Sequence, residues 1–174
     1  MQAVTGGLVA WVFPGLMLIA AFTDARWRLI PNWIPGAMIL TFVPLVLASG
    51  MPLATLGQSV GIAVLGFTLC FALFALGQMG GGDAKLITAS LLWYGASVAT
   101  VWYILFVSLA GAALSIAFIV RRTNLAQMAL VSNRLSAPLA GLTEDQTRRV
   151  PYGIAIAAGA LATQAQLMAL HLPS

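Results

Sequence analysis

The chain holds four acidic side chains, Asp24, Asp83, Glu144 and Asp145, and two of them are placed to do chemistry. Glu144 and Asp145 stand beside Arg148 and Arg149 and read as a solvated, charge-paired turn, where exposed pairs contribute little. Asp24 closes one apolar stretch and Asp83 opens another. Two carboxyls brought together cannot both ionise readily and so share one proton. The ionised member can then deprotonate a water while the protonated member polarises a carbonyl, which is the hydrolysis of a peptide bond. Gly80, Gly81 and Gly82 run directly into Asp83, and glycines let a second backbone come close, as a peptide aligned beside Asp83 requires. Each residue also has a plainer reading. Asp24 can pair with Arg26 or Arg28 in a surface loop, and Asp83 can be the N-cap of the helix that follows a flexible glycine turn.

The elements that position these residues are apolar. The chain of 174 residues is 61% hydrophobic and 7% charged, whereas a soluble domain carries about a quarter charged residues. Apolar stretches run from Val4 to Phe22, Trp33 to Ser49, Thr55 to Gly77, Ala84 to Tyr94, Ser97 to Val120 and Val150 to Leu170, and a bilayer crossing needs about 20 such residues. The fourth is too short alone. Lys85 to Val120 as one helix would overshoot a bilayer core of about 30 Å, so two helices hinged near Gly95 are expected. The start of the chain lacks the basic residues of a cleavable signal, and the first stretch reads as a retained helix.

Six crossings place the segments Asp24 to Asn32, Gln78 to Lys85 and Arg121 to Arg149 on one side, together with every Lys and Arg. The positive-inside rule makes that side cytosolic and puts both termini opposite. Five crossings would break this segregation. The expected fold is an all-α membrane protein of six transmembrane helices, one domain over 1–174, with a cytosolic loop at about 121–149 in which 124–135 can form an interfacial helix. Odd helices run inward and even helices outward, so Asp24 and Asp83 reach the same membrane edge. The formal charge of +4 comes from scattered residues, which excludes a nucleic-acid stripe. Cys70 is the only cysteine, so neither a disulfide framework nor a zinc ribbon can be built within the chain. No metal or organic cofactor is expected.

Three segments together resemble the type IV prepilin peptidases. The first is Asp24 to Asn32, an aspartate followed by basic residues and Ile30-Pro31-Asn32. The second is Gly80-Gly81-Gly82-Asp83-Ala84-Lys85, similar to the family's G-x-G-D with a basic residue after it. The third is Pro151-Tyr152-Gly153-Ile154-Ala155, opening the last helix. Presenilin-like proteases share G-x-G-D but carry a Tyr-Asp pair where this chain has Phe22-Thr23-Asp24. The resemblance implies a GxGD-type aspartic endopeptidase of the bacterial inner membrane with Asp24 and Asp83 catalytic. Gly80, Gly82, Pro31, Asn32, Pro151 and Gly153 would be its supporting positions. The implied partners are membrane lipids and prepilin helices with a short basic leader, a glycine before the cut and an apolar segment after it. Larger family members add a cysteine-bearing methyltransferase segment. The short form is similar to the TadV/CpaA-like group associated with Flp tight-adherence pili, so methylation is expected from another protein.

Helix ends suggest a division of labour. Asp83 at the positive start of its helix is expected to be the ionised base, and Asp24 at the negative end of its helix the protonated acid. Arg26, Arg28 and Lys85 are candidate contacts to substrate or lipid head groups, or else topology signals. Pro31 and Asn32 are expected to turn the chain into the second helix. Trp93, Tyr94, Trp102 and Tyr103 suit an interfacial belt or lipid contact, and His171 reads as a surface residue. The competing reading is a small ion- or proton-coupled transporter or channel subunit using the same aspartates, which would favour acids near the bilayer midplane. Oligomeric state is not legible.

Overall fold

A computed structural model describes residues 2–131 and 152–171, with side chains over 11–121 and 152–169. Among these residues the chain is all helical, in six helices: α1 (Gln2–Trp27), α2 (Trp33–Ser49), α3 (Leu53–Ala75), α4 (Gly81–Tyr94), α5 (Val98–Val131) and α6 (Tyr152–His171). Glycines supply the turns. Gly50 ends α2 in the left-handed region at φ 64°. Gly77, at φ 71°, ends α3 with the paired bonds Gly77 N–H to Phe74 O and Gln78 N–H to Leu73 O, both 2.9 Å. That is the Schellman arrangement, and it releases the chain toward Gly80.

The expected hinge is present. α4 stops at Tyr94, Gly95 takes φ 59° and ψ −160°, and a Cβ there would lie 2.5 Å from Ser59 Oγ, so only glycine fits both the backbone angle and the space. With 14 residues, α4 rises about 21 Å at 1.5 Å per residue, short of a bilayer core of about 30 Å. It is instead the central element, packed on α2, α3 and α6. The interior is built from α1 residues at helical spacing (Phe13, Met17, Ala20) against Ile34 and Met38 of α2, Leu86 and Ala89 of α4, and Ile156 and Ala160 of α6.

α3 and the stretch Val98–Arg121 of α5 are long and apolar enough to cross a membrane. Their outward rows, including Leu65, Leu69, Ile104 and Ile116, are exposed, which suits hydrocarbon rather than water as the neighbour. The helical backbone of α5 continues to Val131, so the loop expected from Arg121 starts later and residues 124–131 extend α5 instead of opening a separate interfacial helix. The rest of that loop, with Glu144 and Asp145, lies outside the described residues.

The aromatic-belt expectation fails for three of its four residues. Tyr103 is 1% exposed, and Trp93 and Tyr94 are half-buried, all packed around Phe13 or one another. Trp93 donates to Met38 O at 2.9 Å and Tyr94 to Ala160 O at 3.0 Å. With its polar tip bonded to a helix carbonyl, such a ring fits an interior as well as an interface. Trp102 stacks on Phe106.

Candidate active site

Asp24 lies on the last turn of α1, which runs on to Trp27, beyond the apolar stretch that ends at Phe22. Arg28 N–H closes the helix on Asp24 O at 2.8 Å. Arg28 is left-handed at φ 53°, a conformation that costs a non-glycine residue about 1–2 kcal/mol. The chain then turns through Ile30 and Pro31 into α2. The Asp24 carboxyl is 6% exposed, and its Oδ2 accepts the Gly153 N–H at 2.7 Å. A Cβ on Gly153 would stand 2.8 Å from both Asp24 Cβ and Oδ2, so a glycine is required there. The first turn of α6 is thereby brought against Asp24, with its free N–H groups and positive helix end.

Asp83 reaches the same end of the bundle from α4. It is not the N-cap: Gly80 holds that position, and Asp83 stands in the first turn with its carboxylate accepting the Gly80 N–H, half of a capping box. The three glycines before it are each in close quarters. A Cβ on Gly80 would fall 2.8 Å from Asp83 Oδ2, on Gly81 3.3 Å from the Phe74 ring, and on Gly82 3.0 Å from Ile30 Cβ. The close approach read from the glycine run is therefore made first by the chain's own Ile30.

The two carboxyls feel each other. Asp83 is pushed up to about 7, first by burial and then by the charge of Asp24, against the pull of the Gly80 N–H. Burial also raises Asp24, opposed by the Gly153 N–H and by the charge of Arg28. A pair in this state keeps one proton into the neutral range. The Gly153 N–H and the charge of Arg28 pull Asp24 toward its ionised form, against the larger effect of burial. The start of α6 thus sets a backbone donor and a positive helix end against Asp24, opposing the negative end of α1 on which the expected division of labour rests.

A groove of about 350 Å³ opens beside Asp83, between α3–α4 and α5–α6. Its walls include Leu73, Ile87, Gly111, Ser115 and Tyr152 as well as Asp83. Tyr152 Oη and Ser115 Oγ lie 3.2 Å apart on its α5–α6 wall. Asp24 is not among the lining residues. The groove follows from the packing, since α4 and α5 scarcely touch while α3–α4 and α5–α6 pair closely.

The remaining expected residues divide. Asn32 stands at the N-cap position of α2 without a capping bond from its side chain, and accepts Lys85 Nζ at 2.9 Å. Pro31 precedes it, two places earlier than the first helical position expected of a proline at a helix start, and its carbonyl accepts Ile34 N–H at 3.1 Å. The Arg28 guanidinium lies 6.0 Å from the Phe118 ring centroid on α5, at the limit of a cation–π contact. Arg26 is exposed. Pro151 lies outside the described residues. Ser115 and Gly111 are not singled out as site residues by the sequence, because a small residue in an apolar helix carries no signal of the face it presents, and Tyr152 enters there only within the segment Pro151 to Ala155. Among the described residues, no cluster of His, Cys, Asp and Glu that could hold a metal is found.

A family model described as the type IV leader peptidase family matches residues 11–120. The match spans both aspartates, Ile30 to Asn32 and Gly80 to Lys85, and ends before α6. No curated protein and no solved structure matches the chain.

Proposed function

Because the chain belongs to the type IV leader peptidase family, we propose that it is a membrane-embedded aspartic endopeptidase that removes leaders from type IV prepilins, with Asp24 and Asp83 as its catalytic pair. The observation that carries this reading is the convergence of the two aspartates at one end of the bundle, where their mutual charge helps to keep a proton on Asp83.

In the proposed reaction Asp24, ionised and held by the Gly153 N–H, takes a proton from a water. The resulting hydroxide attacks the scissile carbonyl, whose oxygen receives a hydrogen bond from protonated Asp83. A tetrahedral intermediate forms. As the C–N bond breaks, the leaving nitrogen takes up a proton, the products are a carboxyl group and a free amine, and the pair returns to one proton. The substrate backbone would lie along the groove that Asp83 lines.

The charge pattern of the chain supports six crossings with this site at the cytosolic face of the bacterial inner membrane, where a prepilin presents its leader junction. Flp-type pilins are the proposed substrates. A transport role is disfavoured, because both aspartates stand at a bundle end and not midway along the helices. Co-expression with candidate small pilins, with leader removal read by mass, tests the proposal. Normal processing by either the Asp24→Ala or the Asp83→Ala protein would overturn it.

A further inference from the structure

We propose that Lys85 and Asn32 form a latch that fixes Asp83 opposite Asp24 before any substrate arrives. The inference rests on the reading of these aspartates as the catalytic pair, and it makes Lys85 and Asn32 positioning residues.

The argument begins with what Asn32 does not do. An asparagine at an N-cap position ordinarily accepts an N–H from the first turn of its own helix. Asn32 is in the right-handed helical region, at φ −62° and ψ −21°, and makes no such bond. Its Oδ1 accepts the Lys85 ammonium at 2.9 Å instead, a charge-assisted bond stronger than one between neutral groups. The bond joins segments that are remote along the chain. Lys85 lies two residues after Asp83 near the start of α4, while Asn32 ends the short connection that follows Trp27, the last residue of α1.

A second contact lies between the same two segments. Gly82 packs on Ile30, with room for no side chain at Gly82 without a shift of Ile30, and Ile30 is itself buried. The turn carrying Asp83 is thus pinned to the connection after Asp24 at two points, one on each side of Asp83 in sequence. A single pin would leave the turn free to pivot about it, whereas two define its orientation. Asn32 also has the right chemistry for this place: it accepts from Lys85 without adding a third negative charge beside two carboxyls that already disfavour each other's ionisation.

The test uses the full-length protein in detergent with a peptide carrying a basic leader, a glycine before the cut and an apolar segment after it. Lys85→Met and Asn32→Leu should each lower kcat about tenfold with KM unchanged, since one charged hydrogen bond is lost in either case. The double variant should be no slower than either single, and Lys85→Arg should stay near wild type. A rise in KM with Lys85→Met alone would make Lys85 a substrate or lipid contact and overturn the latch. So would independent, multiplying losses in the double variant, or a Lys85→Arg protein as slow as Lys85→Met. A readout free of catalysis keeps the inference testable where the peptide is not cut. The D24C/D83C protein should be bridged by a short bifunctional thiol reagent, and adding Lys85→Met or Asn32→Leu should slow bridging. Unchanged bridging would sink the latch, while an uncut peptide with wild-type protein would sink the assignment of the reaction.

Discussion

The surroundings of Asp24 and of Asp83 differ more than their shared side chain suggests. Asp24 is closed in by the start of α6, with a backbone donor at 2.7 Å and no room for a Cβ on Gly153. Asp83 sits behind a run of glycines and faces a groove, with the Gly80 N–H as the donor that lowers it. One carboxyl is enclosed away from the groove, and the other stands on the groove wall. Both are buried and each has one backbone donor, so what differs is the enclosure by α6 and the charge of Arg28 at Asp24 against the groove and the like charge of Asp24 at Asp83.

The hardest test of that contrast is to neutralise each aspartate in turn. On the proposed roles, Asp24→Asn removes the base, and Asp83→Asn removes the acid but leaves an amide N–H able to bond the scissile carbonyl. A positioned acid or base contributes about 10²- to 10⁴-fold. Cleavage should therefore fall by about that range in both, and further in Asp24→Asn. Single-turnover rates would show the order, and a lower rate for Asp83→Asn would exchange the roles. Wild-type cleavage should also decline as pH rises through about 7, where Asp83 loses its proton. A smaller effect is expected at Gly153. Gly153→Ala keeps the N–H but places a methyl 2.8 Å from Asp24 Oδ2, and a misplacement of about 1 Å costs about a hundredfold. The equivalent change at Gly111, whose Cβ would meet Tyr152 at an ordinary 3.8 Å, should leave the rate almost untouched.

Much of this contrast was beyond reach in the sequence, for a physical reason. Apolar stretches and charges told where helices run and which ends share a side, so the break at Gly95 and the common end for Asp24 and Asp83 were both legible. They do not tell which helices are neighbours. Asp24 lies at the negative end of its own helix, but the Gly153 N–H arrives from α6, 129 residues away along the chain, and opposes that local sign. The glycines before Asp83 were read as space for a substrate, and one of them is filled by Ile30. Tyr103 was read as interfacial because an amphipathic ring suits a membrane surface, yet it is buried beside Tyr94. In each case the local chemistry was right and the partner was set by packing.

The groove sharpens the comparison from the substrate's side. Gly111 is half-buried on α5 and lines the groove, so Gly111→Leu fills space without crowding Asp24. Overpacking of this kind is worth about 1–3 kcal/mol, and KM for a cleavable peptide should rise about tenfold or more with a smaller change in kcat. An unchanged KM would mean that the substrate reaches Asp83 by another route.

The mildest effect concerns stability and separates the aspartates without any substrate. Asp83 titrates near 7 in the folded chain against 3.8 for a free aspartate, so between those values the folded state binds more protons than the unfolded one. Stability then falls as pH rises, because its slope follows the protons bound by the unfolded state minus those bound by the folded state. The contribution of Asp83 is complete below about pH 4 and is lost as pH passes through about 7. Melting of the detergent-solubilised protein should therefore drop by on the order of a few degrees between pH 5 and pH 8. Asp83→Asn, which cannot ionise, should flatten most of that drop. In Asp24→Asn the like charge that helps to raise Asp83 is gone, so the remaining drop should move to lower pH without disappearing. If Asp24→Asn flattened the curve and Asp83→Asn did not, the proton would belong to Asp24, and the contrast between the closed and the groove-facing carboxyl would have to be drawn the other way.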